Sequence, residues 1–186
     1  MENGHEGTYD KPRARARDEA RRIIRDLNIT EPPVDVEAIA TMQGIEILRH
    51  RFDGPESGFA LRDGTRRYIG LNTQTSRRRQ RFTAAHELGH LILHDGKELI
   101  VDQAVLRVDL RNHLSSMGTD REEVEANTFA AALLMPERIV LRHAAELIQA
   151  NGDISRDGLI SDLARIFDAS AEAMGYRLIS LGLLTA

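Results

Sequence analysis

Two histidines and a glutamate in the segment HELGH, at positions 86–90, have a spacing suited to chemistry. Residues four apart on a helix share one face, so the imidazoles of His86 and His90 can bind one cation. Zinc lowers the pKa of a water bound to it, and Glu87, one step around the helix, can accept the proton released. The motif therefore predicts a metal-dependent hydrolytic site with Glu87 as its catalytic base. The alternative interpretation is two surface histidines on an amphipathic helix.

A catalytic zinc ion takes three protein ligands and keeps one open position. The chain has no cysteine, so the third ligand must be His, Asp or Glu. Glu123 is the preferred candidate, because Asn127 shares its helix face and can accept a proton from a ligating imidazole. Glu125 is the competing ligand, although it lies on a different face from Asn127. A helix cap is the structural alternative for Glu123, since acidic residues are favoured in a first turn.

His94 continues the face of His86 and His90. Three histidines on one straight helix span about 12 Å, which is too far for one tetrahedral ion. We therefore expect His94 to lie behind the ligands or at the helix end. The predicted cofactor is one Zn²⁺ per chain, although imidazole and carboxylate ligands also accept Mn²⁺ or Fe²⁺.

Helices and a small sheet must position these residues. Hydrophobic residues make up 41% of the chain and aromatic residues only 4%, which favours helices over a β-sandwich. Apolar spacing and turn signals predict helices over 13–27, 36–43, 76–93, 119–134, 139–148, 159–167 and 171–181, and strands over 45–48, 58–62 and 67–72. The expected fold class is α+β and mainly helical. A three-stranded or larger antiparallel or mixed sheet is expected to pack on the helix with the HELGH motif.

Three segments are predicted along the chain. Residues 1–12 are expected to form a flexible tail, residues 13–150 the domain with the motif, and residues 151–186 a C-terminal helical segment packed on it. The formal net charge of −4 argues against a dedicated nucleic-acid binder. No apolar run is long enough for a membrane span, and the absence of a secretory signal and of cysteine predicts a cytoplasmic protein.

Two stretches resemble the ImmA/IrrE family of zinc metallopeptidases: RFTAAHELGHLILH at 81–94 and EANTFAAALLMP at 125–136. The stretch PVDVEAIA at 33–40 and the C-terminal residues 177–183 also fit. The resemblance implies a gluzincin-like fold, with zinc held by His86, His90 and a glutamate that maps to Glu123, and with Glu87 as general base. It also implies an endopeptidase that cleaves a helix-turn-helix repressor and so relieves repression in a mobile element, a phage or a stress response.

The strand before the motif helix is a candidate docking edge for substrate. In such enzymes this strand often lies at the rim of the cleft, where an extended peptide can pair with it. Tyr68, Gly70 and Asn72 belong to this strand. The alternative is an ordinary strand whose edges are covered.

A second hypothesis treats the chain as a binding protein. It would be a metal-containing regulatory or antitoxin-like partner without catalysis, or a DNA-binding regulator that uses its C-terminal helices. Residues 163–174 have helix-turn-helix spacing. A DNA reader, however, needs basic or amide side chains on its second helix, where this chain has Glu172 and a late Arg177. Direct DNA binding is therefore not expected.

Arginine is common throughout the chain, and its densest cluster is at positions 77–79 and 81. This cluster either binds phosphate or forms the solvated first turns of the motif helix.

Overall fold

The computed structural model describes residues 6–94, 98–102 and 119–185. The described helices are α1 Glu6–Asp26, α2 Val36–Met42, α3 Arg77–Leu93, α4 Thr119–Leu134, α5 Glu137–Asn151, α6 Arg156–Ile166 and α7 Ala171–Ser180. The described strands are β1 Ile45–His50, β2 Gly58–Asp63, β3 Arg66–Asn72 and β4 Leu99–Asp102. The α+β, mainly helical class predicted from the sequence is confirmed. Among the described helices, none is both long enough and apolar enough to cross a membrane.

Helix α1 begins at Glu6, within the segment predicted as a tail, whereas residues 1–5 lie outside the described part of the chain. A stripe of small or apolar residues, Pro12, Ala16, Ala20 and Ile23, is buried along this helix. The stripe packs α1 against α4. Because the residues before it carry no apolar period, the pattern alone places the start of this helix too late.

The four strands form one mixed sheet in the order β1-β3-β2-β4. Strands β2 and β3 pair as an antiparallel hairpin, β1 joins β3 in parallel, and β4 joins β2 in antiparallel orientation. A larger mixed sheet, one of the two predicted forms, is therefore observed. Strand β4 lies in a segment that has no clear hydrophobic period.

Strand β3 is central, so the predicted docking edge at Tyr68, Gly70 and Asn72 is wrong. These residues pair with β1 on one side, where Tyr68 is opposite Glu46, and with β2 on the other. The hairpin is a local feature and was predictable. The parallel partner β1 is separated from β3 by β2 in the sequence, and no local pattern indicates where it pairs.

Gly70 and Asn72 have structural roles instead. A Cβ at Gly70 would lie 2.1 Å from the ring of Phe59, so only glycine lets that ring cover the strand. The Asn72 amide donates to the carbonyl of Glu56 at 2.8 Å and accepts from the backbone N–H of Gln74 at 3.0 Å. These bonds hold the loop before β2 against the end of β3.

Helix α3 lies between the sheet and α4. Ser76 caps its first turn, with Oγ accepting from the backbone N–H of Arg79. Gly89 permits a close approach to α4, since a Cβ there would lie 3.0 Å from Cδ1 of Phe129 and 3.3 Å from Cα of Ala126. Contact on both sides leaves the second half of α3 almost entirely buried.

The C-terminal helices α6 and α7 pack through the apolar side chains Leu163, Phe167, Met174 and Leu178. Ser170 caps α7, because its Oγ accepts from the backbone N–H of Ala173. Arg177 of α7 is 7% exposed, and its Nε donates to the carbonyl of Met135 at 2.9 Å. A buried, charged hydrogen bond therefore joins α7 to the residue that follows α4.

Candidate metal centre

Helices α3 and α4 bring three metal-binding side chains together. His86 Nε2 lies 3.0 Å from His90 Nε2. Glu123 contacts both nitrogens at 3.2 Å, through Oε2 to His86 and through Oε1 to His90. One donor atom from each residue lies within 4.8 Å of the other two. Zinc bonds of about 2.1 Å place tetrahedral donors about 3.4 Å apart, so the set fits a small divalent cation. The structure thus groups the three residues predicted as ligands.

An amide from α4 contacts the outer nitrogen of His86. His86 Nδ1 lies 3.0 Å from Oδ1 of Asn127. An amide oxygen can only accept, so a neutral His86 that binds a cation would carry its proton on Nδ1 and offer the lone pair of Nε2 to the cation. Asn127, one helical turn after Glu123, lies where the sequence predicts.

His94 lies behind His90, as expected, and Glu125 contacts it. His90 Nδ1 is 3.1 Å from His94 Nδ1, and His94 Nε2 is 2.9 Å from Oε2 of Glu125. Arg121 Nε donates to Oε1 of Glu125 at 3.1 Å. The two glutamates that competed for the third ligand position therefore differ in place: Glu123 contacts the Nε2 atoms, and Glu125 contacts His94.

Burial and hydrogen bonding set the charges in this centre. Burial acts to raise the pKa of Glu123, but hydrogen bonds with His86 and His90 outweigh it and hold that pKa well below its usual value. The pKa of Glu125 is also lowered, because hydrogen bonds with His94 and Arg121 outweigh its burial. Burial lowers the pKa of His90, which favours the neutral imidazole that a cation needs.

Glu87 is fully buried and lies close to the start of β2. A Cβ at Gly58 would lie 3.6 Å from Oε1 of Glu87 and 2.4 Å from Cγ2 of Thr83. Glycine at position 58 therefore allows β2 to approach the surface of α3 that carries Glu87. A carboxylate placed next to His86 in this way is a candidate proton acceptor.

Two arginines bind the last carbonyl groups of α3. Arg62 of β2 donates from Nη2 toward the carbonyls of His90, Leu91 and His94. Arg15 of α1 donates from Nη2 to the carbonyl of Leu93 at 2.9 Å. Carbonyls at a helix C-terminus lack intrahelical partners and carry partial negative charge, so these cations stabilise the end that bears His90 and His94. No local sequence signal points to these arginines, because both are distant in the chain.

The arginine cluster at the start of α3 binds the turn between α6 and α7. Arg77, Arg78 and Arg81 lie 3.0–3.5 Å from the carboxylate of Asp168. Arg79 donates from Nε to Oγ of Ser57 at 2.8 Å. The cluster therefore contributes to docking of the C-terminal segment.

The contact between Glu125 and His94 was not predicted. Sequence reasoning treated Glu125 only as a rival ligand. Its neighbours Ala126 and Phe129 are fully buried, as is Ala130. A buried acidic residue needs a polar partner, so the position of Glu125 within this apolar stretch was the sequence signal for such a contact.

An α+β fold with an HExxH helix and a third acidic donor from a neighbouring helix defines the class of HExxH metallopeptidase domains. The chain belongs to the family of M78 peptidases, because the family model described as the IrrE N-terminal-like domain matches residues 40–179. The family resemblance deduced from the sequence is thereby confirmed.

Curated relatives agree with this assignment. The chain is 25% identical to uncharacterized immunity region protein 2 of Bacillus phage phi105, over 80% of the chain and 86% of that protein. It is 34% identical to the radiation response metalloprotease IrrE of Deinococcus radiodurans, over 59% of the chain and 30% of the relative. For the protein of the same name from Deinococcus deserti the identity is 33%, over 70% of the chain and 45% of the relative. The matched region is thus less than half of each Deinococcus protein.

Proposed function

We propose that this chain is a zinc-dependent endopeptidase that cleaves a regulatory protein of the helix-turn-helix repressor class. The observation that carries the proposal is the convergence of His86, His90 and Glu123, whose donor atoms lie within 4.8 Å of one another. Two imidazoles and one carboxylate make up a common ligand set of catalytic zinc sites, which keep the fourth position for water or substrate.

The division of labour among the residues follows from their chemistry. Zinc held by His86, His90 and Glu123 would supply Lewis acidity, which acidifies water and polarises a substrate carbonyl. Glu87 accepts the proton from the attacking water and returns it to the amine that leaves, so that each turnover regenerates the carboxylate. Asn127 holds the His86 ring through its contact at 3.0 Å.

Family membership and the named relatives support the proposed class of substrate. Membership of a peptidase family supports a protein substrate. The similarity to a protein named for a phage immunity region, and to metalloproteases named for the radiation response, supports a substrate with a regulatory role. A helix-turn-helix repressor is the regulatory protein that the sequence resemblance implies.

The rival hypothesis of a DNA-binding regulator has less support. Arg177 is the only basic residue of α7, and it is buried against the carbonyl of Met135. The exposed positions of α7 are Ala171, Glu172, Tyr176 and Ser180, which carry no positive charge. Phosphate contacts require exposed cations, so this helix is poorly suited to binding a DNA groove.

Elemental analysis of the purified protein tests the metal, and incubation with a purified helix-turn-helix protein encoded beside its gene tests the reaction. We expect about one zinc per chain and two fragments of the partner, whose formation a chelator stops. Glu87→Gln should keep its zinc and lower the cleavage rate by about 10²–10⁴-fold, because a positioned base contributes that much.

Two results would contradict the proposal. Cleavage by Glu87→Gln at the wild-type rate would remove Glu87 as the base. Tight binding of the partner without fragments, unaffected by chelator, would favour the non-catalytic regulatory partner.

A further inference from the structure

We propose that Glu125 is a positioning residue of the metal centre, which acts through His94 to hold His90 in the tautomer that presents Nε2 to the cation. This inference rests on the proposed function, because it assumes that the centre binds a metal. It assigns a role to a buried acidic residue that is not itself one of the three candidate ligands. Hydrogen bonds lead from Glu125 through His94 to His90.

The first hydrogen bond fixes the proton of His94. Oε2 of the Glu125 carboxylate lies 2.9 Å from Nε2 of His94. A carboxylate only accepts, so His94 carries its proton on Nε2. In the neutral imidazole the other nitrogen, Nδ1, then has a free lone pair.

The second hydrogen bond fixes the proton of His90. The Nδ1 atoms of His90 and His94 lie 3.1 Å apart, so one of them must donate. Since His94 Nδ1 holds the lone pair, His90 must donate from Nδ1. With zinc in the centre, the lone pair of His90 is therefore on Nε2, the atom that lies 3.2 Å from Glu123 and 3.0 Å from His86.

Burial keeps this chain of hydrogen bonds isolated from water. The exposed fractions of His90, His94 and Glu125 are 0%, 8% and 3%. Arg121 binds the second oxygen of Glu125 at 3.1 Å, so the two carboxylate oxygens have different partners. Buried polar groups can form hydrogen bonds only with their protein partners, so the direction of these hydrogen bonds is well defined.

The two imidazoles of the centre are therefore supported differently. His86 donates to the neutral amide of Asn127, whereas His90 donates to a histidine that itself donates to a carboxylate. A carboxylate behind a ligating imidazole raises its basicity.

A merely structural role for Glu125 is the competing explanation. The residue joins α4 to α3, so its removal would also weaken the packing of the two helices. Metal affinity and the tautomers of the histidines separate the two explanations, because packing alone requires neither a particular proton position nor a particular affinity for zinc.

The test begins with nitrogen-15 NMR of the zinc-loaded full chain, because without zinc the Glu123 carboxylate accepts hydrogen bonds from Nε2 of His86 and His90. We expect His94 protonated at Nε2, His90 protonated at Nδ1, and a scalar coupling between their two Nδ1 nuclei across the hydrogen bond. His94 protonated at Nδ1, or no coupling between the two nuclei, would overturn the inference. This measurement needs bound zinc but no catalysis.

Zinc affinity, measured by competition with a chelator, provides the second readout. Glu125→Gln keeps the shape but removes the charge, and we expect zinc to bind about 10- to 100-fold more weakly, the usual cost of losing an outer partner. Glu146→Gln, at an exposed carboxylate of α5 that pairs with Arg142 and His143, is the matched control and should bind zinc like wild type.

The two proposals fail in different ways. A wild-type chain that binds no zinc would refute the proposed function. A wild-type chain that binds zinc tightly, with Glu125→Gln within twofold of it, would refute only the positioning role of Glu125.

Discussion

The two ends of helix α3 both carry clustered ionisable side chains, but their surroundings differ. At the amino-terminal end, Arg77 and Arg78 have side chains 80% and 48% exposed and share the carboxylate of Asp168. At the carboxyl-terminal end, His86, His90 and His94 are at most 8% exposed, and each ring nitrogen has a partner 2.9–3.2 Å away.

Exposure to water determines how much the polar contacts at each end contribute to stability. Exposed ion pairs contribute about 0–1 kcal/mol each, because solvent and salt screen them. A buried polar group that loses its partner costs about 1–3 kcal/mol or more. The arginine end of α3 should therefore tolerate substitution, whereas the histidine end should not.

The strongest test of this contrast compares His86→Ala with Arg78→Ala. The first variant removes a candidate ligand, and we expect zinc affinity to fall by more than about 100-fold, beyond the usual loss for an outer partner. Arg78→Ala should retain zinc at the wild-type level. Both are measured by elemental analysis and chelator competition, and equal zinc loss in the two variants would abolish the distinction.

The variant Arg177→Ala tests whether the loss of a buried polar contact also lowers stability outside α3. Burial lowers the pKa of Arg177 to about 10, so the residue stays charged at neutral pH. Its removal leaves a cavity and an unpaired carbonyl at Met135, and we expect a loss of about 2–4 kcal/mol in the free energy of unfolding. Arg165→Ala, whose side chain is 72% exposed, is the control and should change it little. Urea denaturation measures both, and similar losses would argue against burial as the cause.

Gly89→Ala sharpens the contrast at the contact between α3 and α4. The added methyl group would lie 3.0 Å from Phe129 and 3.3 Å from Cα of Ala126, so this tight contact must give by a few tenths of an ångström, and overpacking costs about 1–3 kcal/mol. Zinc affinity should fall too, because α4 carries Glu123. In the control Gly175→Ala the nearest atom is 3.8 Å away, and alanine should stabilise α7 by up to about 1 kcal/mol. Thermal unfolding and zinc titration measure both variants. If Gly89→Ala matched wild type in stability and in zinc affinity, the contact at Gly89 would be unstrained.

Asp168→Asn should have the smallest effect. Asparagine tolerates the left-handed backbone at this position, where φ is 50°, so the variant removes only the charge. We expect a loss of at most about 1 kcal/mol, which shrinks further in high salt. Unfolding measured at low and high ionic strength provides the check. A larger, salt-independent loss would mean that the arginine end behaves like a buried site.

Local spacing was enough to predict the parts of the site that lie within single helices. Positions four apart placed His86 with His90, and Glu123 with Asn127, because the period of a helix is fixed by its backbone. The cap at Ser170 and the β2–β3 hairpin were equally local.

Contacts between distant elements were beyond such reasoning. The sequence did not indicate that β1 would cover the free side of β3, nor that β4 would form in an aperiodic segment. Assigning Glu125 to His94 requires knowing how α3 and α4 cross, which depends on the close approach allowed at Gly89. These features depend on tertiary packing, for which periodicity carries no information.

The guanidinium groups at the end of α3 have a practical consequence for protein engineering. Arg15 and Leu93 are 78 positions apart, and Arg62 comes from the hairpin that precedes α3. A peptide cut to residues 77–134 would contain every candidate ligand and yet lose both arginines. A miniature metallopeptide based on this centre would therefore need the amino-terminal helix and the hairpin as well, and the smallest useful fragment is most of the domain.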